Sequence, residues 1–140
     1  MALQIVPVNY VAVVVAAIAS MVIGFLYYSP SLFGGKWMKL AGITKKEADK
    51  AMKQGMAKTL VLGFITALVM AWVIAMIIGN VGAATVTEGA MVGFWAWLGF
   101  VATFSYHGVL WGKQPHSLWT LQNGNNLISM VVIGAIIAAL

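Results

Sequence analysis

Four long stretches of apolar residues, each free of charged side chains, follow one another along the chain. A helix rises about 1.5 Å per residue, so about 20 apolar residues cross a bilayer core of about 30 Å. A lone strand would leave its backbone unpaired in lipid, whereas a helix pairs its own polar groups. The pattern therefore predicts four transmembrane helices, at about Val8–Ser29, Thr59–Gly79, Gly89–Trp111 and Leu118–Ala138.

Composition strengthens this prediction. Hydrophobic residues make up 62% of the 140 positions and charged residues only 8%, with a mean hydropathy of +0.96. A soluble domain carries about 25% charged residues, so a soluble globule and a disordered chain are both excluded. The absence of Cys removes disulfides, iron–sulfur clusters and thiol chemistry. We expect an all-α bundle of four transmembrane helices, formed by residues 1–140 as a single integral membrane domain.

The charges predict an orientation. All eight basic residues are Lys, and seven of them lie between Lys36 and Lys58, in the first loop, while Lys113 lies in the third. Lys and Arg accumulate on the cytoplasmic side of membrane proteins. We therefore expect the Lys-rich loop, residues 30–58, in the cytoplasm and both termini outside.

The Lys-rich loop contains a helix signal of its own. Thr44 and Glu47 have the spacing of a capping box, which predicts a short helix at about Lys45–Gln54 ended by Gly55. This helix is basic and amphipathic, and such helices bind anionic lipid. It serves either lipid sensing or partner docking, or it is only a topology signal with a solvated face. Nucleic-acid binding is not needed to explain the positive charge.

An internal repeat is suggested by the ends of the first and third spans. Tyr28, Leu32, Phe33, Gly34 and Lys36 correspond in order to Tyr106, Leu110, Trp111, Gly112 and Lys113. This match predicts a duplicated two-helix hairpin with a pseudo-twofold axis along the membrane normal. The alternative is that aromatic residues, Gly and Lys recur at any cytoplasmic interface.

Two stripes of small residues, each spaced by four, favour close packing of the first and second spans. They serve either contacts inside the chain or an interface between copies, and we expect a homo-oligomer. The stripes are Ala12, Ala16, Ser20 and Gly24 in the first span, and Gly63, Ala67, Ala71, Ala75 and Gly79 in the second.

Polar residues concentrate in the cytoplasmic half of the predicted bundle. Four of them share one broad face of the fourth span, and side chains of the first and third spans lie at matching depth. They form either interhelical hydrogen bonds or a water-filled vestibule that binds a polar solute. The predicted cluster consists of Gln122, Asn125, Asn126 and Ser129 with Tyr28, Thr103 and His107.

No catalytic site, metal or cofactor is expected. His107 and His116 have no Cys or carboxylate near them within the membrane, and a metal or haem site requires more ligands. Ser105 and His107 are two residues apart on one helix and point in different directions, so they do not form a nucleophile–base pair. The chain is therefore not expected to be an enzyme.

The string from Tyr27 to Gly34, followed by Lys36-Trp37-Met38 and Gly42-Ile43-Thr44, resembles a small bacterial membrane family, domain of unknown function 1761. The segments Gly93–Phe100 and Trp119–Asn126 are similar to its second half. The resemblance implies a four-helix integral membrane protein of the bacterial inner membrane. It implies no activity, substrate or catalytic residue.

Two functional interpretations follow. The first is a small oligomeric channel or transporter for a neutral or weakly charged solute, bound at the polar cluster. The second is a structural or regulatory membrane subunit that carries no solute.

Overall fold

Four long helices and two short ones make up the computed structural model, which describes residues 3–140. The four long helices have the length and apolarity needed to cross a membrane, and no strand occurs within residues 3–140. The predicted all-α fold with four membrane-spanning helices is confirmed. The helices are α1 (Tyr10–Tyr27), α2 (Gly34–Ala41), α3 (Lys45–Lys53), α4 (Ala57–Val81), α5 (Val86–Trp111) and α6 (His116–Ala139).

Consecutive long helices run in opposite directions, so the connections between them alternate between the two ends of the bundle. These two ends differ chemically. We call the end that carries α2, α3 and the turn between α5 and α6 the lysine end, since all eight Lys residues lie there. At the opposite end, an amide bonds the N-terminal segment to α4. Asn80 Nδ2 donates to the carbonyl oxygen of Gln4 at 2.8 Å, and Asn80 Oδ1 accepts from the Gln4 N–H at 3.0 Å.

Side-chain caps determine where two of the long helices begin. Asn9 Oδ1 accepts from the backbone N–H of Ala12 at 3.2 Å and starts α1. A complete capping box starts α5, in which Thr85 Oγ1 accepts from Glu88 N–H and Glu88 Oε2 accepts from Thr85 N–H. Glu88, which is the acidic residue outside the Lys-rich loop, therefore has a structural role in capping.

Helix α6 occupies the centre of the bundle. It packs along α5 on one side and along α1 on the other, and α4 packs on α1 and more briefly on α6. Helices α4 and α5 meet over only a short stretch. The core contains Val13 from α1, Ile74 and Ile78 from α4, and Met130 and Ile133 from α6.

The closest helix contact, between α5 and α6, depends on glycine. A methyl group built at Gly93 would overlap the carbonyl oxygen of Met130, and one built at Gly134 would overlap the carbonyl oxygen of Gly89. The two backbones therefore touch directly at these positions, as small residues permit in membrane helices. Gly89 and Gly93 are spaced by four, as in the two predicted stripes of small residues, but they were not predicted as packing residues.

The two predicted stripes of small residues lie mostly inside this single chain. Ala12 and Ala16 of α1 and Ala67, Ala71 and Ala75 of α4 are buried, with Ala71 at 0% exposure. Their contacts are with neighbouring helices of the same bundle. Towards the ends of the stripes the packing is looser. Ser20 is half-buried, Gly63 lies beside Met21, and Gly79 lies beside Val6. A methyl group built at Gly24 would have no atom within 4 Å.

The Lys-rich loop contains one helix more than predicted. Helix α3 begins after Thr44 and ends before Gly55, which has φ +89°, as the sequence indicates. The Thr44 hydroxyl oxygen accepts from the Glu47 N–H, as predicted. The Glu47 carboxylate accepts from the Thr44 hydroxyl rather than from the Thr44 backbone N–H, so only half of the predicted capping box is present. Helix α2 was not predicted, because its eight residues are too short to show a clear period.

The proposed internal repeat remains a prediction. Its two hairpins would be α1 with α4, and α5 with α6. A twofold axis would make the contact between α1 and α6 equivalent to that between α5 and α4. The first is extensive and the second is short, so the two halves pack unequally.

We expect Gly93→Ala to lower the thermal stability of the purified protein in detergent. The added methyl group meets the α6 backbone, which cannot rotate away as a side chain can, and overpacking costs about 1–3 kcal/mol. Gly24→Ala is the control, because no atom lies within 4 Å of the added group. Equal melting temperatures for the two variants would contradict the backbone contact between α5 and α6.

Candidate functional site

A polar cavity lies among the four long helices. Its volume is about 300 Å³. Five polar side chains line it: Ser20 from α1, Thr66 from α4, and Asn125, Asn126 and Ser129 from α6. The rest of the wall is Gly63, Ala67, Met70, Val101 and Met130. No charged residue is part of this lining, so the cavity is polar and neutral.

The polar cavity lies close to mid-depth in the bundle. Asn126 is ten residues into α6 from the lysine end, which corresponds to about 15 Å along a helix about 36 Å long. Towards the opposite end the apolar core begins at once, because Met130 belongs both to the cavity wall and to the core cluster. The cavity therefore lies on the lysine side of the apolar core.

One acceptor in this region has no partner. The side-chain oxygen of Asn125 is buried and makes no hydrogen bond with any group within residues 3–140. An unpaired buried acceptor costs about 1–3 kcal/mol. Thr66, by contrast, satisfies its hydroxyl within α4 by donating to the Gly63 carbonyl oxygen at 2.7 Å. The arrangement therefore places a buried, unpaired acceptor on a residue of the cavity wall.

A second amide, two residues before Asn125, is fully paired. Asn123 is 3% exposed, and its Nδ2 donates to Ser105 Oγ on α5 and to the Trp119 carbonyl oxygen, both at 3.1 Å. Trp119 Nε1 in turn donates to Ser105 Oγ at 3.1 Å and to the Ala102 carbonyl oxygen at 3.2 Å. These bonds join α6 to α5 and form an interhelical network, which we call the Asn123 network.

A widened turn in α5 contributes to both the polar cavity and the Asn123 network. Residues Trp97–Ala102 form a π-helical turn, in which the backbone is wider than in an α-helix. From this turn Val101 contributes to the cavity wall, and Ala102 presents its carbonyl oxygen to the Trp119 indole. Such turns frequently occur at functional sites.

The structure brings together three of the seven side chains in the predicted polar cluster. Asn125, Asn126 and Ser129 line one cavity. Gln122 lies elsewhere, where its Oε1 is 3.4 Å from the donor Gln114 Nε2 of the turn between α5 and α6.

The three cluster members outside α6 do not reach the polar cavity. Thr103 is exposed and donates to the Gly99 carbonyl oxygen of its own helix at 2.7 Å. His107 is exposed beside Phe104, with ring centroids 5.6 Å apart. Tyr28 lies at the lysine end. The rotation of each helix about its own axis, which decides which side chains face the cavity, was not available from depth alone.

Two cavity residues were missed as site residues. Ser20 was predicted only as a packing residue, and Thr66 was not predicted at all. Both are hydroxyl residues within the apolar part of their spans and lie at the depth of Asn126, which is the signal that would have identified them. Asn123 shows the opposite case, since it looks like a site residue in sequence and is bound within the interhelical network.

The histidines lie in an aromatic setting. His116 contacts the rings of Tyr106 and Trp119 at centroid distances of 5.7 and 5.6 Å. In the described part of the chain, no three His, Cys, Asp or Glu side chains come together in a group that would hold a metal ion. The chemistry available at the polar cavity is hydrogen bonding by amides and hydroxyls.

Four apolar helices of membrane-spanning length, around a neutral polar cavity, define a small α-helical integral membrane protein. Residues 11–138 match the family described as Protein of unknown function (DUF1761), and the chain belongs to that family. The family resemblance inferred from the sequence is therefore confirmed. Neither the curated proteins nor the solved structures contain a significant match to the chain.

Part of the sequence string that resembles the family ties α1 to α6. The Tyr27 hydroxyl donates to the Leu121 carbonyl oxygen at 2.6 Å. It lies over Gly124, where a methyl group would come within 2.5 Å of the Tyr27 oxygen. Tyr27 and Gly124 therefore fit one another across the interface, next to the polar cavity. This gives one of the family-like residues a structural role.

We expect Asn123→Leu to lower the thermal stability in detergent, because the substitution removes the amide that bridges α6 to Ser105. A lost buried partner costs about 1–3 kcal/mol. Thr103→Val serves as the control, since its hydroxyl bonds only within α5 and its side chain is exposed. If both variants melted at the wild-type temperature, the Asn123 network would not hold the helices together.

Proposed function

We propose that this protein is a small transporter-like membrane bundle that binds a neutral polar solute in the polar cavity. The observation that carries the proposal is the buried, unpartnered oxygen of Asn125 beside a neutral cavity near mid-depth. Substrate sites of secondary transporters commonly lie at this depth between helices. Interhelical hydrogen bonding alone would leave the acceptor paired, as it is in the Asn123 network.

The lining defines the class of solute. Amides and hydroxyls bind groups that donate or accept hydrogen bonds, and the absence of charge in the wall disfavours an ion, which would lose its hydration without compensation. A volume of about 300 Å³ lies at the lower end of the range for small-molecule sites. The proposed substrate is a neutral molecule of a few non-hydrogen atoms with at least one hydrogen-bond donor.

The apolar core determines the mode of transfer. Beyond Met130, the side chains of Val13, Ile74 and Ile133 are buried and separate the cavity from the opposite end. Solute transfer therefore requires the helices to move, as in alternating access. The short contact between α4 and α5 is the natural place for such movement, because fewer contacts must be broken there.

Topology and assembly belong to the same proposal. The distribution of Lys supports an orientation with the lysine end in the cytoplasm and both termini outside, in a bacterial inner membrane. We propose a homo-oligomer, although the stripes of small residues are used within the chain. Exposed aromatic residues of α5, including Trp95, Phe100 and Phe104, form a surface for lipid or for a neighbouring copy.

The alternative function is a structural or regulatory membrane subunit without solute passage. The Asn123 network favours it, because that network shows that polar residues of α6 serve to join helices. On this alternative, water alone would occupy the polar cavity and satisfy Asn125.

Single-Cys labelling tests the orientation, and the chain offers no background because it contains no Cys. We expect Thr87→Cys, at the start of α5, to react with an impermeant maleimide added to intact cells. Gln54→Cys, at the end of α3, should react only after permeabilisation. The reverse pattern would place the lysine end outside.

Substitution of the cavity amides tests the function. Asn126→Leu removes a polar wall group, and Asn125→Leu removes the unpaired acceptor, so we expect thermal stability to hold or rise in both. Stopped-flow light scattering of proteoliposomes should show reduced glycerol or urea flux for both variants, with Thr103→Val as the unchanged control. Loss of stability with no protein-dependent flux in the wild type would favour the structural subunit.

A further inference from the structure

The lysine end contains a second and larger depression, which is independent of the polar cavity. It lies where the end of α1 meets α2 and α3, and its volume is about 590 Å³. We call it the lysine-end groove. Its lining comes from the segment between Tyr28 and Asp49.

The floor of the lysine-end groove is apolar. Tyr28 and Trp37 pack edge to face with ring centroids 5.6 Å apart, and Met38 and Ile43 extend the apolar surface. All four side chains are only half-buried. Gly35 adds no side chain to the wall, and Gly34 is buried against the backbone of Tyr28 and Ser29. Such a floor binds an aliphatic chain rather than a small hydrophilic molecule.

The rim carries positive charge. Lys39 from α2 and Lys45 from α3 line the groove together with one carboxylate, Asp49. The lining therefore has a net charge of one positive unit, which a singly charged anion would balance. The positive surface continues along α3 through Lys46, Lys50 and Lys53, in a shallower depression that shares Lys45 and Asp49 with the groove.

The groove lies at the level of lipid headgroups. Tyr28 directly follows the last residue of α1, and α4 begins soon after α3, so α2 and α3 lie at the membrane surface beside the ends of the spans. A molecule with one anionic group and an aliphatic body is abundant at this level. A soluble anion would not use the apolar floor, and an apolar peptide would not use the two lysines.

We propose that the lysine-end groove binds one molecule of an anionic glycerophospholipid. Its phosphate lies between Lys39 and Lys45, and part of an acyl chain lies on Trp37, Met38 and Ile43. This goes beyond the general attraction of a basic helix to an anionic surface, because it assigns the binding to two of the seven lysines in the loop and to a defined apolar floor. It does not depend on the proposed transport function.

Lipid titration in a neutral detergent tests the proposal. Short-chain phosphatidylglycerol should raise the melting temperature of the full-length protein in a saturable way, because a ligand bound to the folded state stabilises it. Phosphatidylcholine of the same chain length, glycerol 3-phosphate and inorganic phosphate should have little effect. An equal response to phosphatidylcholine would rule out the charged site, and a full response to phosphate would identify a soluble anion as the ligand.

Matched charge variants distinguish a site from diffuse attraction. Lys39→Gln/Lys45→Gln should weaken phosphatidylglycerol binding about tenfold or more, since each lysine near an anionic lipid contributes substantially. Lys36→Gln/Lys58→Gln removes the same charge outside the groove and should leave the affinity close to that of the wild type. Met38→Gln should also weaken binding, because it replaces an apolar side chain of the groove floor with a polar one. An equal loss of phosphatidylglycerol affinity in the two double variants would show that binding depends only on the total charge of the loop. That result would overturn the proposal.

Discussion

The direct backbone contact between α5 and α6 is the constraint on which the rest of the bundle depends. Gly93 and Gly134 allow the two helices to touch without intervening side chains. This contact fixes the rotation of α6, and α6 in turn packs on α1 and α4. In lipid no hydrophobic driving force holds helices together, so close packing and interhelical hydrogen bonds must do so. The Asn123 network supplies the second of these at the same interface.

Once α6 is fixed, its polar residues acquire different roles. Asn123 faces α5, where Ser105 and the Trp119 carbonyl oxygen satisfy its amide. Asn125 and Asn126 turn towards Ser20 and Thr66 and line a cavity instead. Three amides within four positions of one helix thus divide between joining helices and forming a site. The division follows from the angle of about 100° between successive residues of a helix.

The lysine end combines the features that set this protein apart from a plain apolar bundle. Tyr27 ties α1 to α6 there, and Tyr28 begins the wall of the lysine-end groove. Two adjacent residues of the segment that resembles the family therefore link the membrane core with the surface helices. Lipid bound in the groove and solute bound in the polar cavity would stabilise the bundle at two different depths.

The four membrane spans were determined by the sequence itself, because apolar runs of sufficient length have no other stable arrangement in a bilayer. The start of α3 at Thr44 and its end before Gly55 could also be predicted from the sequence, because each depends only on neighbouring residues. What only the tertiary structure decided is the rotation of each helix about its axis. Asn125 and Asn126 line the polar cavity while Gln122 and Thr103 do not, although Gln122 lies on the same predicted face of its helix. Their roles depend on which neighbouring surface each meets, and that is set by backbone contacts far away in the sequence, such as Gly93 with Met130.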